Sequence, residues 1–236
     1  MIKDSKNVGT YSSAISKKII IFGCKDLSQL SKFYIENDPK YSSEYEVVGF
    51  SVNKDYKEID SFEGLPVFDF ENIEEIFNPK DFLFFAPMTG AKMNSIRTKI
   101  YKQIKNKGYN LFSYISSYST NFAKNIGENC FILEDNTIQP FVEIGNNVVL
   151  WSGNHIGHHG MIRDNVFFTS HVVLSGHCDV GENSWLGVNS TIRDSVKIMP
   201  KTLIAMGSLI TKDTEEDGFY MGSPAKKQEK KSYEVF

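Results

Sequence analysis

Residues 126–210 read IGENCFILEDNTIQPFVEIGNNVVLWSGNHIGHHGMIRDNVFFTSHVVLSGHCDVGENSWLGVNSTIRDSVKIMPKTLIAMGSLI, and every sixth position is large and apolar. The series runs without a break from Ile126, Ile132, Ile138 and Ile144 through Phe168 and Val180 to Ile204 and Ile210. Helices repeat near 3.6 residues and strands near 2, so local propensity does not explain this period. A hexapeptide period is the mark of a parallel β-helix, in which each repeat supplies one short strand and a corner.

The other positions agree. Four residues after each anchor the side chain is mostly small or β-branched, as at Cys130, Val142, Val166, Cys178, Ser184 and Thr202. Gly recurs one residue after the anchor (Gly127, Gly145, Gly157, Gly181, Gly187), and Asn recurs at the third (Asn129, Asn147, Asn165, Asn183, Asn189). Gly and Asn tolerate the positive φ that a corner can require. With about three hexapeptides per coil, residues roughly eighteen apart lie one above another. Cys130 and Cys178 then read as buried fillers, and with Cys24 they make an odd, widely spaced set that implies no disulfide framework.

The part before residue 118 has a different pattern. Ile19-Ile20-Ile21-Phe22-Gly23 reads as a buried strand, followed by a helix from Asp26, its expected cap, to Asn37, stopped by Pro39. Further strands are expected at Glu46–Val52 and Phe82–Ala86, and a helix from Lys92 to Lys107 that Gly108 ends. The alternation predicts a small Rossmann-like α/β domain with a parallel sheet over residues 1–118, and a β-helix with a C-terminal tail over 119–236. Ligands of such sheets bind beyond the carboxyl ends of the strands, here around Gly23–Leu27, Ser51–Asp55 and Ala86–Gly90. Gly23-Cys24-Lys25-Asp26 lacks the later glycines of a dinucleotide fingerprint, and a turn that simply needs Gly is the plain alternative.

All five histidines fall between 155 and 177: His155, His158, His159, His171 and His177. None is an anchor. His159, His171 and His177 take the corner position, His158 precedes it and should project outward, and coil stacking should bring His159 beside His177. Solvated corner residues, a metal site and a general base are the three readings of these side chains; a neutral imidazole suits the last.

Asn154-His155-Ile156-Gly157-His158-His159 resembles the active-site hexapeptide of left-handed β-helix acyltransferases. Leu186-Gly187-Val188-Asn189-Ser190 and Gly222-Ser223-Pro224-Ala225-Lys226 match the same superfamily. An α/β domain followed by this repeat is similar to the bacterial nucleotide-sugar N-acetyltransferases of bacillosamine, perosamine and viosamine type, which are grouped with sialic-acid O-acetyltransferases. The resemblance implies left-handed coiling, a homotrimer, and acetyl-CoA in the groove between two β-helices. It implies that His158 is the catalytic base, with His159 and His177 in support. Phe167, Gly176, Val188, Met206 and Gly207 then fall at coenzyme-contacting positions, and Gly23, Lys25, Asn53, Met88, Asn154 and His155 at substrate-binding ones. Two departures stand out. The family usually carries an acid after the base, where this chain has His159, and the Gly-rich loop after the first strand is lost. The zinc-binding β-helices of γ-carbonic anhydrase type use a His well upstream of a close His pair; no His precedes His155 here, so no metal is expected.

Composition narrows the classes further. A net charge of −3 argues against a nucleic-acid footprint. The N-terminal MIKDSKNVGTYSSAISKK has no apolar h-region, and the longest apolar runs are too short to span a bilayer. A cytoplasmic enzyme of surface glycan biosynthesis is expected, transferring acetyl from acetyl-CoA to a nucleotide-linked amino-dideoxy sugar. Sugar O-acetylation and a non-catalytic β-helix scaffold are the alternatives.

Overall fold

The computed structural model describes residues 17–236. Most of the polar N-terminal segment considered above lies outside them. The first part is an α/β unit: β1 (Lys17–Phe22), α1 (Asp26–Asn37), β2 (Tyr45–Val52), β3 (Ser61–Phe62), β4 (Leu65–Asp69), α2 (Ile73–Ile76), β5 (Phe82–Phe85), α3 (Ser95–Asn106) and β6 (Asn110–Leu111). The sheet order is β3-β4-β2-β1-β5-β6, parallel throughout except for the β3–β4 hairpin. Central β1 is apolar on both sides because both sides are covered. Ile19 and Ile21 pack with Ile35 of α1, and Ile20 packs with Ile100 and Ile104 of α3.

Two sequence expectations need correction here. The N-cap of α1 is Lys25, with no side-chain cap bond, and Asp26 is the first helical residue, where its charge meets the helix dipole instead. Helix α3 begins at Ser95 rather than Lys92, because Lys92, Met93 and Asn94 all hold positive φ (53°, 49° and 64°). The β3–β4 hairpin was not foreseen. Its turn is Glu63-Gly64, both at positive φ, the two-residue type whose twist matches the strands.

From Tyr114 onward the chain winds through two-residue strands that pair in parallel, one coil to the next. Three faces result. The first carries Phe131–Ile132, Val149–Leu150, Phe167–Phe168 and Trp185–Leu186; the second carries Thr137–Ile138, His155–Ile156 and Val173–Leu174; the third carries Glu143–Ile144, Met161–Ile162 and Asp179–Val180. The coil reaches back to Tyr114–Ile115, which pairs with Phe131–Ile132, ahead of the expected boundary at 118. Anchors and small fillers form one continuous interior, with Cys130 and Cys178 inside it. The third position after each anchor is left-handed at every corner, from Asn129 (φ 56°) to Gly207 (φ 67°). A final hairpin, Gly218–Gly222 with Ala225–Lys231, extends the first face.

The α/β unit lies across the first face. Phe131, Val149 and Phe167 share a core with Phe85 and Tyr114. At the corner between third and first faces, Asn129, Asn147 and Asn165 form a buried ladder of side-chain amides, each step 2.8 Å. Arg97 of α3, 0% exposed, donates to the carbonyl oxygens of Asn147 and Asn165 and sits over the Phe167 ring. No carboxylate among the described residues meets that guanidinium, and burial pushes its pKa down to about 9. Asp38, after α1, accepts from the Tyr114 hydroxyl at 2.8 Å and the Ser117 N–H at 2.9 Å, tying the unit to the first coil.

Candidate active site

The corner between the second and third faces carries Phe141, His159 and His177 on successive coils, all left-handed at φ 68°, 58° and 60°. Backbone bonds set the spacing: His159 N–H donates to the Pro140 carbonyl at 3.3 Å, and His177 N–H to the His158 carbonyl at 2.9 Å. The side chains therefore stack as a ladder. The Phe141 and His159 rings lie 4.7 Å apart, and the His159 and His177 rings 4.9 Å apart at 13°. Phe141 is 60% exposed, an unusual position for a ring with no covering partner on its outer side.

His158 stands beside this ladder, edge-on to both histidines. Its backbone N–H donates to Gln139 Oε1 at 2.8 Å, which fixes where the side chain leaves the corner. Its ring lies over Gly176, one coil on. A Cβ at 176 would come within 2.9 Å of His158 Cε1, so the glycine makes room for the imidazole. His158 Nδ1 is 3.1 Å from His159 Nδ1. One of these nitrogens donates and the other accepts. With the proton on His158 Nδ1, His159 is the acceptor and His158 Nε2 carries a free lone pair. In that tautomer a neutral imidazole supplies the acceptor at the position where the family usually carries an acid.

The bacterial transferase hexapeptide model (six repeats) matches residues 124–158, which end on His158. Among solved structures, the acetyltransferase domain of PglB from Neisseria gonorrhoeae aligns over 90% of this chain and 100% of its own, at 19% identity and TM-score 0.77. A point variant of perosamine N-acetyltransferase from Caulobacter crescentus, solved with CoA and GDP-perosamine, aligns over 92% and 99%, at 18% identity and TM-score 0.77. These share the fold, an α/β unit followed by a left-handed parallel β-helix. Among curated proteins, the acyl-[acyl-carrier-protein]–UDP-N-acetylglucosamine O-acyltransferase of Sinorhizobium fredii is 28% identical over 42% of this chain, and the match spans 39% of that protein's length.

The hexapeptide coils sort the remaining expected residues. Asn154, taken for substrate binding, is 1% exposed: its amide donates to the Trp151 carbonyl and accepts the Val172 N–H, so it is an interior filler. Phe167, taken as a coenzyme contact, is 5% exposed, stacked on Trp185 beneath Arg97; its side chain belongs to the seam with the α/β unit. Val188, Met206 and Gly207 lie on the corner between first and second faces and are open, Met206 at 76% exposure. The second face, with His155, separates them from the histidine corner within one chain. His171 shares their corner, its ring over Gly153.

In the α/β unit, Gly23 is at φ 112°, where a Cβ would strike Ser28 Oγ at 2.5 Å, so the turn accounts for it. Asn53 bonds Glu71 at 3.2 Å, Lys25 is exposed and Met88 is half-buried against the sheet core. This crevice and the histidines are far apart in topology. The unit covers the first face, and the histidines sit on the opposite corner. Sequence reasoning also missed Gln139, Phe141 and Arg97. Phe141 could have been found, since it lies eighteen residues before His159 in the same register.

Proposed function

We propose that this chain is an acetyl-CoA-dependent N-acetyltransferase acting on a nucleotide-linked amino-dideoxy sugar in surface glycan biosynthesis, in the cytoplasm. The observation that carries it is the His158 ring over Gly176, hydrogen-bonded through Nδ1 to His159. Nε2 of His158 takes the proton of the sugar amine as its nitrogen adds to the thioester carbonyl. The imidazolium that forms is held by His159, and His177 stacks behind it. The Gly176 N–H has no partner among the described residues and is available to the oxyanion. Collapse of the tetrahedral intermediate expels the coenzyme A thiolate, whose thiol pKa of about 8.5 makes it an adequate leaving group.

The acceptor assignment draws support from the α/β unit, which a free sugar would not need, and from a fold neighbour solved with CoA and GDP-perosamine. A homotrimer is part of the same reading, and the layout supports a shared site. Since one chain sets its crevice and its base on opposite sides, a bound nucleotide sugar would reach a base on a neighbouring copy. The open corner of Val188, Met206 and Gly207 would then face the histidine corner of the next β-helix and hold the coenzyme between them.

The test is release of free coenzyme A thiol from acetyl-CoA with UDP-, dTDP- and GDP-linked 3-amino and 4-amino dideoxy sugars, with sialic acid included. Turnover on one nucleotide-linked amino sugar establishes the activity. Turnover on sialic acid alone replaces it with O-acetylation, and no turnover with any acceptor overturns it.

A further inference from the structure

We propose that His158, His159 and His177 together bind one divalent transition-metal ion, of which Zn²⁺ is the type, and that the ion acts as an inhibitor rather than a cofactor. Each residue offers a ring nitrogen, and the three lie within 4.8 Å of one another. Two imidazole nitrogens on a tetrahedral zinc at bonds of about 2.0–2.1 Å stand about 3.3 Å apart. His158 Nδ1 and His159 Nδ1 are already at 3.1 Å. The third ligand has a short distance to close. His177 is exposed, and its ring is parallel to that of His159, so rotation about its side-chain bonds brings a nitrogen toward the same point.

The backbone favours the arrangement as well. His159 and His177 are held at fixed corners by coil-to-coil hydrogen bonds, so only side-chain freedom is lost on binding. All-imidazole donor sets suit zinc, copper and nickel over magnesium or calcium. With three ligands from the protein, a fourth position stays open to solvent. No upstream histidine is needed, because the coil brings the third ligand from eighteen residues further on, as the register of neighbouring strands requires.

The inhibitory consequence follows from electron pairs. A metal held by His158 takes the imidazole out of proton transfer or turns it from the orientation that aims Nε2 at an amine. Binding itself does not depend on the acyl-transfer assignment, so the two can fail separately.

The experiment is calorimetric titration of the metal-free, full chain with Zn²⁺, paired with the visible absorption of Co²⁺ as a geometry probe. One ion per chain is expected. His159→Asn and His177→Asn, which keep a residue that tolerates the corner, should each weaken binding by about tenfold or more, since even outer-shell losses cost that much. His171→Asn, on another corner, should bind as wild type. No saturable binding, or wild-type affinity in His177→Asn, overturns the site. In the acetyl-transfer assay Zn²⁺ should suppress turnover and a chelator should restore it; full turnover at saturating Zn²⁺ overturns the inhibitory role.

Discussion

The rings of His159 and His177 lie nearly parallel at 4.9 Å, although eighteen positions separate them in the chain. That contact is a product of the coil period alone, and it turns three corner residues into one group with His158. A positively charged imidazole in this cluster has two other imidazoles for neighbours, and no carboxylate among the described residues pairs with it.

Replacing His158 by Ala should lower kcat by about 100-fold or more, the low end of what a positioned acid–base contributes. The side chain stands outside the core, so the melting temperature should hold. Steady-state assay beside a thermal melt checks both, and near wild-type turnover would remove the residue from the mechanism.

Gly176→Ala makes a finer test. A Cβ there would meet the His158 ring at 2.9–3.3 Å, and Gly176 is not at positive φ, so the backbone accepts alanine. A clear fall in kcat with little loss of stability is expected. Unchanged kcat would mean that the ring position seen here is not the working one.

The repeat made the coils legible because a large apolar residue at every sixth position admits one arrangement. Corner conformation was legible for the same reason: Asn129, Asn147, Asn165 and Asn183 repeat in register and all prove left-handed. What faces each coil was not legible. Phe167 precedes an anchor, where side chains point outward, and only the α/β unit lying on that face makes it a seam residue. Asn154 was misread because an interior position that usually holds Val or Ser can take an amide when Trp151 and Val172 supply its partners. Arg97 carries no sequence signal, because its burial depends on the carbonyls of Asn147 and Asn165, 50 and 68 residues away in the chain.

Arg97→Leu should loosen the α/β unit from the β-helix. It strips donors from the Asn147 and Asn165 carbonyls inside a buried seam, and each buried group left unpaired costs about 1–3 kcal/mol. Part of that is returned, because the buried guanidinium, with its unpartnered Nε, no longer has to be desolvated. A lowered melting temperature and faster proteolysis between the two units are the expected readouts. A melt and digestion pattern like wild type would show that the apolar seam suffices.

Asp38 gives a pH-dependent counterpart. Burial alone would raise its pKa, but the N–H groups of Ser117 and Lys40 and the Tyr114 hydroxyl outweigh that and hold it below its ordinary 3.8. A carboxyl depressed in the folded state stabilises above its unfolded pKa, and that contribution is lost as pH falls through the folded value. Asp38→Asn should therefore melt lower than wild type at pH 7, by a cost of about 1–3 kcal/mol. The gap should narrow in melts run below pH of about 3.8, the ordinary carboxyl range. A gap independent of pH would mean that the charge is not what matters.

Light scattering at micromolar concentration should report three chains per particle. A monomer would leave the opposed crevice and base with no way to share a substrate.

The left-handed corners carry one more consequence. Asn and Gly, residues suited to positive φ, hold seven of these corners, at 129, 147, 153, 165, 183, 189 and 207, yet at 159 and 177 the chain places imidazoles. A β-carbon in that conformation costs roughly 1–2 kcal/mol for ordinary residues, less for Asn and nothing for Gly. Exchange of either histidine for Gly or Asn should make the protein harder to melt while making it a poorer catalyst. Gain of heat resistance with loss of turnover is the signature of side chains kept for chemistry against the preference of the backbone that bears them.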